Sequence, residues 1–84
     1  MVGLMYWVYV LKAETFERSY VGHTNDLVRR LAEHNAGTTP STKRYLPWKV
    51  IYTEECASLS AAVLREKYLK SRSGRRFLKS VVFS

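Results

Sequence analysis

Two stretches of this sequence put polar side chains on faces that are otherwise apolar. At helical spacing, Leu27, Arg30, Leu31 and His34 share one stripe, so an arginine and a histidine sit among leucines. A second stripe joins Leu59, Ala62, Val63, Glu66 and Leu69, with a carboxylate at its middle. Taken singly, each has a plain explanation: an ion pair between Glu66 and Arg30, or a place at the stripe's edge. Together they point to a site between helices and sheet, because a carboxylate can hold a hard cation and an arginine fork suits a phosphate. Two phenols can join it. Tyr9 shares a strand face with Trp7 and Leu11, and Tyr20 opens the next strand, so a hairpin would make them neighbours. Tyrosine is also a common sheet residue, and spacing alone leaves both nearer structural than catalytic.

The elements that must position these groups follow from local pattern. Residues 5–11 are β-branched and aromatic and read as a strand, with a second over Ser19 to His23. The polar stretch Lys12 to Arg18 is then a hairpin connection. Thr24, Asn25 and Asp26 offer N-caps for a helix reaching about Asn35, where Ala36-Gly37 stops it. Thr38 to Pro47, with Lys43 and Arg44, reads as a basic loop, and Trp48 to Thr53 as a third strand. Ser58 or Ser60 can cap a long helix through Lys70, which Gly74 separates from a basic terminal segment, Arg75 to Val82. The order β-β-α-β-α-(α) is an α/β (α+β) fold: a small sheet with helices against it.

An 84-residue chain has room for one domain, here residues 1–84, and the 46% hydrophobic content argues against disorder. The 14 Lys and Arg against seven Asp and Glu give a net charge of +7, which favours polyanionic partners. Seven of those cations (Arg65, Lys67, Lys70, Arg72, Arg75, Arg76, Lys79) fall in the last 20 positions, opposed only by Glu66. Cys56 is the sole cysteine, which fits a reducing, cytoplasmic setting. The apolar opening run is too short to span a membrane and lacks the marks of a signal peptide.

The motifs, taken in order, resemble those of the GIY-YIG nucleases. Trp7-Val8-Tyr9 and Tyr20-Val21-Gly22 are similar to the paired motif that names the family, with Trp7 where the name has glycine. Arg30 falls ten residues after Tyr20, where the family's catalytic arginine is expected, and His34 follows one turn later. Glu66 resembles the metal-binding glutamate of the late helix. Glu33-His34-Asn35, Pro47-Trp48, Tyr52-Thr53-Glu54-Glu55 and Gly74-Arg75 most resemble small stand-alone bacterial members. The C-terminal asparagine of some members has no counterpart here.

The resemblance implies a three-stranded antiparallel sheet flanked by helices, and phosphodiester hydrolysis with one divalent ion, Mg2+ or Mn2+. Glu66 would hold the ion, Arg30 would neutralise charge on the phosphate, and Tyr9 would act on the attacking water with Tyr20 in support. His23 or His34 could relay the proton, although a lone histidine is more often a hydrogen-bonding or phosphate-contact residue than a base. Lys43, Arg44, Lys67, Lys70, Arg72, Arg75 and Arg76 are the expected nucleic-acid contacts. DNA is the expected partner, RNA remains open, and no membrane is expected. A non-catalytic nucleic-acid-binding module, or a domain active only with a protein partner, are the competing readings.

Overall fold

A computed structural model describes residues 5–82. Three strands, β1 (Tyr6–Ala13), β2 (Ser19–Thr24) and β3 (Trp48–Cys56), form an antiparallel sheet in the order β2-β1-β3. Three helices accompany them: α1 (Leu27–Asn35), α2 (Leu59–Lys70) and α3 (Arg72–Val81), with a short 3-10 turn at Lys43–Tyr45. The α+β architecture and element order are those expected from the sequence.

β1 is the central strand, and its alternation builds both layers. Val8 and Val10 face α2 and α3, packing with Ala62, Leu69 and Leu78. Tyr9, Leu11 and Ala13 face the opposite way, packing with Trp48 and with Leu27 and Leu31 of α1. A strand covered on both faces needs apolar residues throughout, which is why this segment lacks the polar alternation of a half-exposed strand.

Strand and helix ends differ from local expectation in instructive ways. β1 continues to Ala13 because Lys12 pairs with Ser19 and Ala13 with Trp48, so cross-strand register carries a lysine into the sheet. β3 likewise runs on to Cys56, opposite Tyr6. α1 starts at an N-cap, Asp26, whose carboxylate accepts the Arg29 amide at 3.1 Å. It ends beyond Ala36 at Gly37, whose φ of 77° is costly for any residue with a Cβ.

Two expectations on the C-terminal half are corrected. The apolar stripe of α2 is narrower than drawn, since Ala62 and Leu69 are fully buried while Leu59 and Val63 are exposed. Apolar residues surround this helix, so more than one stripe could be traced through it, and packing against the sheet selects one. Gly74 does not break the chain between helices. The break is at Ser71, which ends α2 and caps α3 by accepting the Gly74 amide at 3.2 Å. Gly74 lies inside the first turn of α3, where an added Cβ would overlap the Tyr68 carbonyl oxygen. Absence of a side chain lets α3 fold tightly back on α2.

Candidate active site

Opposite Tyr9 in the sheet stands Gly22 of β2. A Cβ at Gly22 would lie 2.6 Å from the Tyr9 hydroxyl and 2.9 Å from the Tyr20 ring, so glycine opens the space that the phenols occupy. The Tyr9 and Tyr20 rings stand 6.2 Å apart, centre to centre, and both meet His34 edge-on at 5.9 and 4.9 Å. The Tyr9 hydroxyl and His34 Nε2 are hydrogen-bonded at 2.9 Å. The periodicity that put His34 and Arg30 on the inner stripe of α1 is therefore observed, with His34 fully buried.

Glu66 approaches from the other side. It projects from α2, beneath the Val8–Val10 face, and its Oε1 contacts His23 Nδ1 at 2.6 Å. His23 pairs with Val8 and so points away from the Tyr9 face of β2. The site thus straddles an edge strand: Tyr9, Tyr20, Arg30 and His34 on one side, His23 and Glu66 on the other, with side-chain-free Gly22 between. The Glu66 charge still acts on the Tyr9 phenol.

No Glu66–Arg30 ion pair forms. Arg30 Nη1 donates to Glu33 Oε1 at 2.9 Å, and Lys70 Nζ donates to Glu66 Oε2 at 2.6 Å. Glu33, followed by the Tyr9 and Tyr20 phenols, more than offsets the burial of Arg30 and keeps its guanidinium charged. Burial alone would push the Glu66 carboxyl up, but Lys70 and His23 outweigh it and hold the group below the usual carboxylate range. Glu66 is an anion at neutral pH.

Tyr9 and His34 are both held neutral. Burial pushes the Tyr9 phenol up to about 12, against the opposing pull of Arg30. Removing its proton at neutral pH therefore costs roughly 6–7 kcal/mol before any ligand arrives. Burial also lowers the His34 imidazole, and the Arg30 charge lowers it further against Glu33.

That depression has a measurable consequence. Between its folded value and the ordinary 6.5, an unfolded His34 binds a proton that the folded one refuses. Stability should therefore fall as pH drops below about 6.5 and continue falling until the folded value is passed. Glu54 and Glu66, both lowered from 4.5, lose their contributions in a more acidic range. Thermal melts between pH 7.5 and 5.5 should show a slope for the natural chain that His34→Gln reduces. Equal slopes would mean that His34 is not held neutral by the fold.

The basic residues divide into groups. Lys70 and Arg75 line a groove of about 700 Å3 with Tyr20, Val21, Leu69 and Leu78, alongside Glu17, Arg18 and Ser19. A smaller recess of about 350 Å3 shares Glu17, Arg18 and Ser19 and adds Lys12 and Lys79, extending the trough. Lys67, Arg72 and Arg76 are exposed on α2 and α3 but line neither recess, and Lys43 and Arg44 are exposed on the 3-10 turn. Lys79 belongs to the basic C-terminal cluster that the sequence points to, whereas Lys12 and Arg18 carry no such signal, since only the return of α3 to the hairpin brings them together.

Other residues overlooked in the sequence support the site from behind. Asn35 pins the end of α1 to β3, its amide donating to the Trp48 carbonyl at 3.0 Å and accepting the Trp48 amide at 2.7 Å. Thr42 contacts His34 Nδ1 at 2.9 Å, and the Thr42 carbonyl accepts the Trp48 indole N–H at 2.8 Å. Asn35 was visible only within a motif and Thr42 lay in a polar loop. Neither has a periodic signal.

An α+β domain with paired tyrosines, an arginine and a glutamate gathered on one sheet edge has the makings of a phosphodiester-cleaving domain. The chain belongs to the GIY-YIG family, a nuclease superfamily, for the family model of the GIY-YIG catalytic domain matches residues 5–79. It is similar to a UPF0213 protein of Natronomonas pharaonis, 41% identical over 69 residues that cover 81% of this chain and 80% of that protein. A UPF0213 protein of Streptococcus pyogenes serotype M5 is 40% identical over 70 residues, covering 82% and 75%. The solution NMR structure of the UPF0213 protein BH0048 from Bacillus halodurans is also similar, with a TM-score of 0.55 and 28% identity. It covers 92% of this chain and 84% of that one.

Proposed function

We propose that residues 1–84 form one catalytic unit, a divalent-metal-dependent endonuclease that hydrolyses DNA phosphodiester bonds. The observation that carries this reading is that the neutral Tyr9–His34 pair, opposite Gly22, lies within reach of the charges of both Arg30 and Glu66. A binding module needs no carboxylate at that place.

Among the described residues, no three His, Cys, Asp or Glu side chains gather as a metal-ligand cluster. A lone carboxylate suits Mg2+ or Mn2+, which retains several waters and takes other oxygens from substrate phosphate. Glu66 would hold the ion, which when bound supplies a Lewis acid at the phosphate and leaving oxygen. Lys70 and His23 must first give up their hold on the carboxylate.

The chain's own groups then divide the work. Arg30 leaves Glu33 for the phosphate and offsets the charge that gathers there in the transition state. The Tyr9 oxygen accepts a hydrogen bond from the attacking water, while the phenol stays hydrogen-bonded to His34 Nε2 at 2.9 Å. Tyr20 flanks both. Lys70 and Arg75 in the groove, with Lys43, Arg44, Lys67, Arg72 and Arg76 around it, supply contacts to phosphates beyond the reacting one.

The test is direct. Purified protein should nick plasmid, branched or nicked duplex DNA with Mg2+ or Mn2+ and not with EDTA. Preference for the branched or nicked forms would support a place in DNA repair or recombination. DNA binding without cleavage under every metal condition would favour the binding-module reading. Cleavage that arises only with a protein partner would favour the partner-dependent one. No helix among the described residues is long and apolar enough to cross a membrane.

A further inference from the structure

A chain of hydrogen bonds runs from the site back into the loop after α1. Tyr9 Oη lies 2.9 Å from His34 Nε2, and His34 Nδ1 lies 2.9 Å from Thr42 Oγ1. Thr42 Oγ1 in turn donates to the Thr39 carbonyl at 3.3 Å. His34 and Thr42 are 0% and 1% exposed, so no solvent stands in for a lost partner behind the ring.

Counting hydrogens along this chain decides its direction. The Thr39 carbonyl can only accept, taking the Thr42 and Lys43 amides at 3.1 Å as well as the hydroxyl at 3.3 Å, and the Thr42 hydroxyl has one hydrogen to give. With that hydrogen on Thr39, Thr42 Oγ1 presents lone pairs to His34, so Nδ1 carries the ring hydrogen. Nε2 is then bare and accepts the phenol hydrogen of Tyr9. All three hydrogens are bonded. In the reverse assignment Nε2–H donates to Tyr9 and Thr42 donates to Nδ1. The phenol hydrogen then has no protein acceptor among the described residues, and two bonds replace three.

Thr42 is well held for such a task. Its amide donates to the Thr39 carbonyl at 3.1 Å, and its carbonyl accepts the Tyr45 amide at 3.1 Å and the Trp48 indole at 2.8 Å. Its hydroxyl therefore faces His34 from a backbone fixed at three points.

We propose that Thr42 is a positioning residue that sets His34 in the Nδ1–H tautomer, through which the Tyr9 oxygen keeps its lone pairs for the attacking water. The consequence for cleavage rests on the nuclease reading above, but the tautomer does not. Thr42 touches neither water nor phosphate and acts only through the ring.

The experiment is a ring-nitrogen NMR spectrum of 15N-labelled protein at neutral pH, together with cleavage kinetics. The natural chain should show His34 protonated at Nδ1 and bare at Nε2. Thr42→Val keeps shape and removes the hydroxyl, so the ring should shift to Nε2–H, whereas Thr42→Ser should keep Nδ1–H. In kinetics, Thr42→Val should lower kcat about tenfold or more while KM changes little, and Thr42→Ser should restore most of the rate. A natural chain protonated at Nε2, or a folded Thr42→Val protein that keeps Nδ1–H, overturns the proposal. The first of these needs no variant, so a Thr42→Val chain that fails to fold leaves the test intact. Loss of the nuclease reading would instead show as a Nδ1–H ring in a protein that cleaves nothing.

Discussion

A Glu66→Gln protein is expected to remain folded, bind DNA, and cleave none of it under conditions where the natural chain turns over. The substitution keeps the side chain's size, turns one of its two accepting oxygens into an NH2 donor, and removes the formal charge that a hard cation requires. The structural cost is small. Lys70 in the Glu66 pair is 53% exposed and His23 33%, and exposed pairs contribute only about 0–1 kcal/mol. A melting temperature near that of the natural chain would confirm that the fold persists, and Mn2+ binding followed by paramagnetic relaxation should weaken sharply. Loss of both metal binding and cleavage, with DNA affinity retained, is the expected set. Undiminished metal-dependent cleavage by folded Glu66→Gln protein would remove Glu66 from the chemistry.

The Glu66 case also shows how far sequence pattern reaches. A carboxylate among Ala62 and Leu69 is legible as an anomaly on a helix, and its side chain is indeed only 19% exposed. Which groups it meets is not legible, since His23 is 43 residues away and on a different element. The stripe around it was drawn too wide, through Leu59 and Val63, because helical spacing cannot choose between two apolar faces of one helix. α1 was read more faithfully: Val28 is 83% exposed opposite the inner stripe, so only one face was available.

β1 and its partners were legible for a similar reason, as β-branched and aromatic residues dominate them. Their ends were not, because Lys12 enters the sheet through pairing with Ser19 and Lys49, which no local signal announces. The roles of Gly22 and Gly74 lie still further from the sequence. One makes room for two phenols across a strand pair and the other for a helix corner, and both depend on neighbours brought up by folding. His34 lies on the buried face of α1, as its helical spacing predicts, but its second partner, Thr42, comes from a loop whose path sequence alone does not trace.

Gly22→Ala and Tyr9→Phe are expected to damage the same step by different routes, and together they test whether the phenol is chemical. Tyr9→Phe removes only the hydroxyl. It should alter stability by about 1 kcal/mol, the scale of one hydrogen bond, and lower turnover about a hundredfold or more. Gly22→Ala keeps the hydroxyl but puts a methyl group 2.6 Å from it and 2.7 Å from the ring carbon that bears it. No carbon sits that close, so the Tyr9 ring must shift or the strands must part, with a stability loss of about 1–3 kcal/mol. A shifted phenol no longer aligns with His34 Nε2, and turnover should fall about as far as in Tyr9→Phe. The pair combined is the decisive arm. If both changes disable one group, Tyr9→Phe with Gly22→Ala should cleave no more slowly than the worse single variant. DNA affinity should hold in all three, because neither residue lies in the basic groove. Rates that multiply would mean that Gly22 serves the site through some other neighbour, with Tyr20 the first to examine. A folded Tyr9→Phe protein cleaving at the natural rate would show that the phenol serves packing alone.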